Sequence, residues 1–310
     1  MDSIQNMSNP TPIITTPIII TKADGSQQPF DESKLIESLT NAGGTPDSIQ
    51  RTVEHIKSKI AELTSTGVSA ASPARFVTTS DIYRHAFDIL RRESMPVATK
   101  YSLRRALAEL GPNGFPFERY VADIFKAWKY ETLTDQIVQG SCVPHEVDVV
   151  AWNADKLIMV EAKFHNEFGL KSDLKVALYV KARFDDIKAS GAIFEYGQKS
   201  DGVKRRALDE SWLVTNTKFT SEAIRYGTCV GLTMIGWNYP ARGNLHDLIT
   251  ESHLHPFTCL TTLSEVDKKN LLELNVILCK DITPEVLKGI GLSADKISAI
   301  RSEVNQVCGV

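Results

Sequence analysis

The chain lacks several features that would settle a class at once. Its five cysteines, Cys142, Cys229, Cys259, Cys279 and Cys308, form no CxxC pair. That spacing argues against a zinc site or a disulfide framework and fits a reducing cytosol. No apolar run is long enough to span a bilayer, and "PIIITTPIII" is short and broken by proline. The first residues carry no basic segment of the kind that opens a cleavable signal peptide. Basic charge is not in excess, with 35 Lys and Arg against 38 Asp and Glu. Any nucleic-acid contact must therefore rest on local patches. "GAIFEYGQKS" misses the phosphate-binding loop pattern on both sides of its second glycine, and there are no internal repeats. The expectation is a cytoplasmic protein with no membrane segment.

The 310 residues suggest about two domains. Residues 1–17, rich in Ser, Thr, Asn and Pro, read as a disordered segment. Ordered structure is expected from Ile18, with a strand through Lys22, a tight turn "ADGS" and a helix capped by Asp31. Thr45 and Pro46 open a second helix, whose Ile49, Val53, Ile56, Ile60 and Leu63 share one face. A third helix opens at Thr79 or Ser80, "PVATKYSLRRALAEL" makes a fourth, and "GPNGFP" (Gly111–Pro116) marks a boundary. Beyond it helices and strands alternate: a helix over Phe117–Tyr130, a hairpin, a helix over Ser172–Ser190, and strands "SWLVTN", "VGLTMIGW" and "NVILC". That alternation implies an α/β sheet with helices on both faces. Residues 283–310 read as a closing helical segment.

The hairpin Val143–His165 carries the chemistry. If Asn153–Lys156 is its connection, Trp152 pairs with Leu157, Asp148 faces Glu161 and Glu146 faces Lys163. Opposed residues stand about 5 Å apart. Two carboxylates so placed on a buried strand raise each other's pKa unless a cation lies between them, and a hard divalent ion with oxygen ligands resolves the conflict. Lys163, on the same side as Glu161, can reach a phosphate oxygen; together these groups suit phosphodiester hydrolysis. The bare pattern of an acid, any residue, then lysine also occurs at Glu32–Lys34, Asp173–Lys175, Asp186–Lys188 and Asp267–Lys269. Only Glu161–Lys163 sits on a buried-type strand beside another carboxylate. Glu146 reads as the partner of Lys163, and His145 as a packed residue of the other face. "KSDGVKRR" (Lys199–Arg206) is a basic loop, and the helix bearing Lys175, Tyr179 and Arg183 follows the Glu161 strand.

"FERYVADIFKAWKYE", "HEVDVVAWNADKLIMVEAKFH" and "VTNTKFTSEAIRYGTCVGLTMIGW" together resemble a nuclease of the PD-(D/E)xK superfamily, nearest to Mrr-like restriction endonucleases. The resemblance implies metal ligation by Asp148 and Glu161, with Lys163 as catalytic lysine and Glu118, on the preceding helix, as a further ligand. Glu118 shares a helical face with Val121, Ala122 and Phe125. The implied cofactor is Mg²⁺ or Mn²⁺, and the implied partner is DNA.

"ITKADG", "FDESKL", "TTSDIY" and "ATKYSLRRAL", in that order, resemble the ATP-cone, a nucleotide-sensing module. That resemblance implies phosphate contacts from Lys22 and Lys34, an approach to ATP or dATP by Thr79 and Tyr83, and regulation through a homo-oligomer. The fold expected is α/β: a small, mainly helical ATP-cone-like domain (18–111), then a restriction-endonuclease-like mixed sheet flanked by helices (115–282), then the segment 283–310. The function expected is a Mg²⁺-dependent DNA endonuclease with a regulatory nucleotide-binding domain. The alternative is a nucleotide-responsive DNA-binding regulator that does not cut.

Overall fold

The computed structural model describes residues 18–22, 25–65, 77–111, 114–167, 169–196 and 204–308. The segment 1–17, the loop 66–76 and Lys199–Val203 of the basic loop lie outside the described residues.

The N-terminal unit opens with strands β1 (Ile19–Thr21) and β2 (Gln27–Pro29), helices α1 (Glu32–Asn41) and α2 (Pro46–Ser65), and the short strand β3 (Val77–Thr78). Helices α3 (Thr79–Glu93) and α4 (Met95–Ala108) complete it. Asp31 caps α1 by accepting the Ser33 N–H at 3.1 Å, as its position predicts. Thr45 and Pro46 likewise start α2, with the Ser48 N–H on Thr45 Oγ1 at 3.3 Å. The third cap differs from expectation. Thr78, not Thr79 or Ser80, caps α3, because Asp81 three residues on returns a carboxylate to the Thr78 N–H and closes a capping box. Val53, Ile56 and Ile60 are buried against Leu39, Ala86 and Leu90 in one small core.

Helix α5 (Phe115–Ala127) leads into β4 (Glu131–Gln139), β5 (Pro144–Trp152) and β6 (Leu157–Lys163). There follow β7 (Lys171–Ser172), α6 (Leu174–Ala189), the hairpin β8 (Phe194–Tyr196) and β9 (Lys204–Arg206), and β10 (Glu210–Thr215). Then come β11 (Lys218–Phe219), α7 (Ser221–Val230), β12 (Thr233–Ile235) and α8 (Leu245–Glu251), with α9 (Glu265–Glu273), α10 (Pro284–Gly289) and α11 (Ala294–Cys308) last. The main sheet has five strands in the order β12-β10-β6-β5-β4. The β4–β5–β6 run is antiparallel, whereas β10 joins β6, and β12 joins β10, in parallel. Parallel neighbours need a crossover, and α6 supplies the one between β6 and β10. This is a mixed α/β fold with helices on both faces of the sheet.

Alternation on β6 sorts the faces. Ile158, Val160 and Ala162 pack on the side of α5, whereas Leu157 and Met159 pack on the side of α6 and α7. One element adds to the expected order and one differs from it. "ETLTDQIVQ" is the edge strand β4, directly after α5, which ends at Ala127. "NVILC" forms no sheet strand. It is a buried extended segment with one bridge, Pro256 to Leu278, and a 3₁₀ turn at Cys279–Asp281 inside the α5-side core. A short apolar run fits either environment. The divisions expected at Gly111–Pro116 and after 282 do not coincide with breaks in the core. Leu103, Leu107 and Leu110 of α4 and Ile300 and Val304 of α11 all bury into the core that holds α5 and the sheet. At Gly111 the passage is tight: a β-carbon there would meet the Phe164 ring at 2.5 Å.

Candidate active site

The hairpin register is the one read from the sequence, with Trp152 opposite Leu157 and Val149 opposite Val160. There the ladder stops. Continued by one residue it would set Asp148 opposite Glu161, but Asp148 Oδ2 accepts the Ala162 N–H at 2.7 Å instead. On its other side Asp148 meets β4. The register Thr134–Val149 and Gln136–Val147 brackets Asp135 opposite Asp148, and Asp135 takes the left-handed φ of 56°. A non-glycine residue held there in mid-strand is strained, and aspartate tolerates it better than most. The pleat is interrupted at the same point, since Val147 packs with Val150 and Trp152 rather than with Val149. The strands thus splay where the carboxylates lie.

The site's electrostatics follow from burial. Glu161 is pushed up to about 7, first by loss of water and then by Asp148, against the pull of Arg183 and Lys163. Asp148 is raised by burial, and the Ala162 N–H and Arg183 restrain it. Glu118 stands in the first turn of α5, where the helix dipole favours a charge. It too is pushed up to about 7, by burial first and then by Asp148 and Asp135. Asp148 of β5 thus acts on both Glu118 of α5 and Glu161 of β6. Lys163, half-buried, makes no ion pair among the described residues.

Arg183 completes the cluster in a way that strand alternation alone does not show. It comes from α6, is 8% exposed, and donates from Nη1 to Glu161 Oε2. Its Nη2 donates to the Tyr179 hydroxyl at 2.6 Å, and the guanidinium lies 4.6 Å from the Tyr179 ring centre. The signal was present as an i, i+4 pair on the helix after the Glu161 strand. The expected Glu146–Lys163 pair does not form among the described residues. Glu146 sits opposite Ile137 on β4 and adds to the negative field at Glu118, Asp148 and Glu161. His145 is pinned by Asp186 at 2.7 Å and takes no part. As arranged, no three His, Cys, Asp or Glu side chains among the described residues are set to hold a metal, and Arg183 engages Glu161.

Residues 255–308 match the family model described as AF1548-like, C-terminal. An uncharacterized protein of Archaeoglobus fulgidus is 35% identical over 195 residues, 61% of this chain and 100% of the relative. A crystal structure of AF1548, a protein of unknown function, is 34% identical and superposes with a TM-score of 0.50, covering 64% of this chain and 99% of that one. The chain belongs to the AF1548-like family. In this AF1548-like chain the matched C-terminal segment gathers cysteines that the sequence scatters. Cys259 and Cys279 touch, with Sγ atoms 3.6 Å apart, and Cys308 is buried in the same core.

The N-terminal candidates come from three places in the unit: Lys22 follows β1, Lys34 lies on α1, and Thr79 and Tyr83 lie on α3. The parallel register of β1 and β3 ends with Thr21 opposite Thr78, one residue before Lys22 and Thr79. Lys34 is exposed on α1 and paired with Asp31 at 3.2 Å. Tyr83 faces elsewhere. Its ring stacks between Phe87 and Tyr101, at 6.0 and 5.3 Å, with Arg105 at 5.5 Å, and burial pushes its phenol up to about 12. It lines a cavity of about 280 Å³ with Phe87, Arg84, Arg91, Arg105 and Lys268, at the seam with the C-terminal segment.

Proposed function

We propose that this protein is a divalent-metal-dependent DNA endonuclease of the PD-(D/E)xK type, with an N-terminal ATP-cone-like unit that binds ATP or dATP. The observation that carries the reading is the convergence of Asp148, Glu161 and Glu118, all pushed above the ordinary carboxylate range, with Lys163 two residues from Glu161 and free of any ion pair among the described residues. An order of α5, three antiparallel strands, α6 and a parallel strand supports it.

An all-oxygen donor set under mutual repulsion fits a hard cation such as Mg²⁺ or Mn²⁺. Asp148 and Glu161 would hold it, with Glu118 as a third ligand. Such an ion acidifies an attacking water and polarises a phosphoryl oxygen. Lys163 would offer its ammonium to the negative charge that grows on the phosphate. Burial and the neighbouring carboxylates push Glu118 up to about 7, a repulsion that the cation would relieve. Arg183 counterbalances Glu161 in the resting protein and must loosen its hold as the carboxylate is taken up.

Arg183 also favours a second reading. A guanidinium already seated on Glu161 is what a nucleotide-responsive DNA-binding regulator that does not cut would keep. Plasmid nicking with Mg²⁺, with Mn²⁺ and with EDTA separates the two. Metal-dependent nicks support the nuclease, and binding of the same plasmid without nicks supports the regulator. For the N-terminal unit, the cavity at Tyr83 offers aromatic rings and guanidinium groups suited to a nucleoside phosphate. Calorimetry with ATP and dATP tests it, and light scattering reports whether either nucleotide changes a homo-oligomer.

A further inference from the structure

Beyond the end of the main sheet, β7 and β11 pair in parallel with Lys171 directly opposite Lys218. Like charges so opposed destabilise a sheet. Neither lysine makes an ion pair among the described residues. Two more cations approach from the N-terminal unit. Loss of water, then Arg104 of α4, Lys171 and Lys34 of α1 hold the Lys218 ammonium below its usual range, and Glu37 acts against them. This platform is tied to the carboxylate site. Thr215 is the ladder partner of Lys163, and Lys218 follows three residues later, just past the bend at Asn216 and Thr217. Ser172, beside Lys171, donates to Thr215 Oγ1 at 3.1 Å and meets His165 Nε2 at 3.0 Å. The lysines therefore stand on backbone fixed to the strand ends that carry Lys163.

We propose that Lys171 and Lys218 form a phosphate track for a DNA backbone, leading from the carboxylate site toward the N-terminal unit. The track rests on the nuclease reading for its direction, since it begins beside Lys163. A polyanion suits it better than a small anion. Both lysines lie open to solvent on two paired strands, and small ligands need an enclosing pocket. Exposed lysines along a line bind polyanions by releasing counterions.

The test reads binding without cutting, in an Asp148→Asn background, by fluorescence anisotropy of a labelled duplex over a salt series. The Lys171→Ala/Lys218→Ala double variant should bind about tenfold more weakly at 0.1 M salt. Its slope of log affinity against log salt should be shallower by nearly 2, about 0.9 for each lost contact. Lys59→Ala, a lysine of α2 paired with Glu62, should change neither. The double variant should melt no lower than its parent, because it loses a repulsive pair. An unchanged slope overturns the track. So does loss of tripolyphosphate binding with DNA affinity intact, which would make the lysines a small-anion site. An RNA duplex held more tightly than DNA, with the same slope change, keeps the track and reassigns its backbone. A slope change in a protein whose wild type never nicks DNA leaves the track standing while the nuclease reading fails.

Discussion

The two candidate sites differ in how their charges are compensated. At the end of the sheet, Glu118, Asp148 and Glu161 are held by a helix and two strands, out of water and against one another. In the N-terminal unit, Lys34 is exposed and already paired with Asp31, and Lys22 and Thr79 stand apart from the cavity that Tyr83 lines. Charges on a rigid scaffold that repel in the resting state store free energy that a ligand can release. A surface pair stores almost none. The sheet-end cluster should therefore answer strongly to substitution, and the lysines weakly.

The largest effect expected is on cleavage. Asp148→Asn or Lys163→Ala should reduce Mg²⁺-dependent nicking by about a thousandfold or more, with the fold kept. Wild-type rates in both variants would break the comparison, because the frustrated cluster would then have no catalytic use. Next is Arg183→Met. It leaves Glu161 buried without its cation, which typically costs about 3–5 kcal/mol. Denaturant unfolding in EDTA should show that loss, and saturating Mg²⁺ should restore part of it. A variant as stable as wild type in EDTA would mean Glu161 is neutral at rest.

Much of the cluster was legible because strand alternation is a local property. The 153–156 connection sets the register of Trp152 and Leu157, and from it the neighbourhood of Asp148 and Glu161 follows. What the register could not convey was the break in the pleat. It depends on Asp135 taking a left-handed φ on a strand whose Leu133 and Ile137 point outward, so β4 shows no apolar face of its own. It is β4 that takes Glu146 opposite Ile137 and away from Lys163. Arg183 was visible as a residue but not as a partner, since the crossover that lays α6 beside Glu161 is a tertiary event. The clustering of Cys259, Cys279 and Cys308 was hidden for the same reason: 20 residues separate the first two, which touch only because a buried turn returns.

The pH dependence sharpens the contrast. Glu118 and Glu161 titrate near 7 in the folded protein, above an unfolded carboxylate. A raised folded pKa means the native state keeps protons that the unfolded chain has released. The stability these groups give is present in full below about 4.5 and lost as pH rises through 7. In EDTA the melting temperature should thus fall by a few degrees between pH 5 and pH 8. Glu118→Gln should flatten that fall and raise the Mg²⁺ needed for half-maximal nicking several-fold. Mg²⁺ competes with protons, so its own stabilising effect should grow over the same range. A Glu118→Gln melting curve as steep as wild type, with an unchanged metal titration, would make Glu118 a bystander.

The smallest effect belongs to the N-terminal lysines. A nucleotide phosphate that recruits Lys34 must draw it from Asp31, so the gain is the difference between two exposed ion pairs. Lys34→Ala should weaken ATP or dATP binding about fivefold at most, less than a buried phosphate contact would lose. Arg91 lines the Tyr83 cavity and makes no ion pair among the described residues, so a phosphate that recruits it breaks none, although Glu109 and Glu265 line the same cavity. Arg91→Ala should then lose more affinity than Lys34→Ala in the same calorimetric titration. The reverse order would put the nucleotide at Lys22, Lys34 and Thr79, as the sequence motifs suggest, and leave the cavity to another ligand. Equal losses would mean that one nucleotide reaches both, which the exposed position of Lys34 on α1 makes the least favourable geometry.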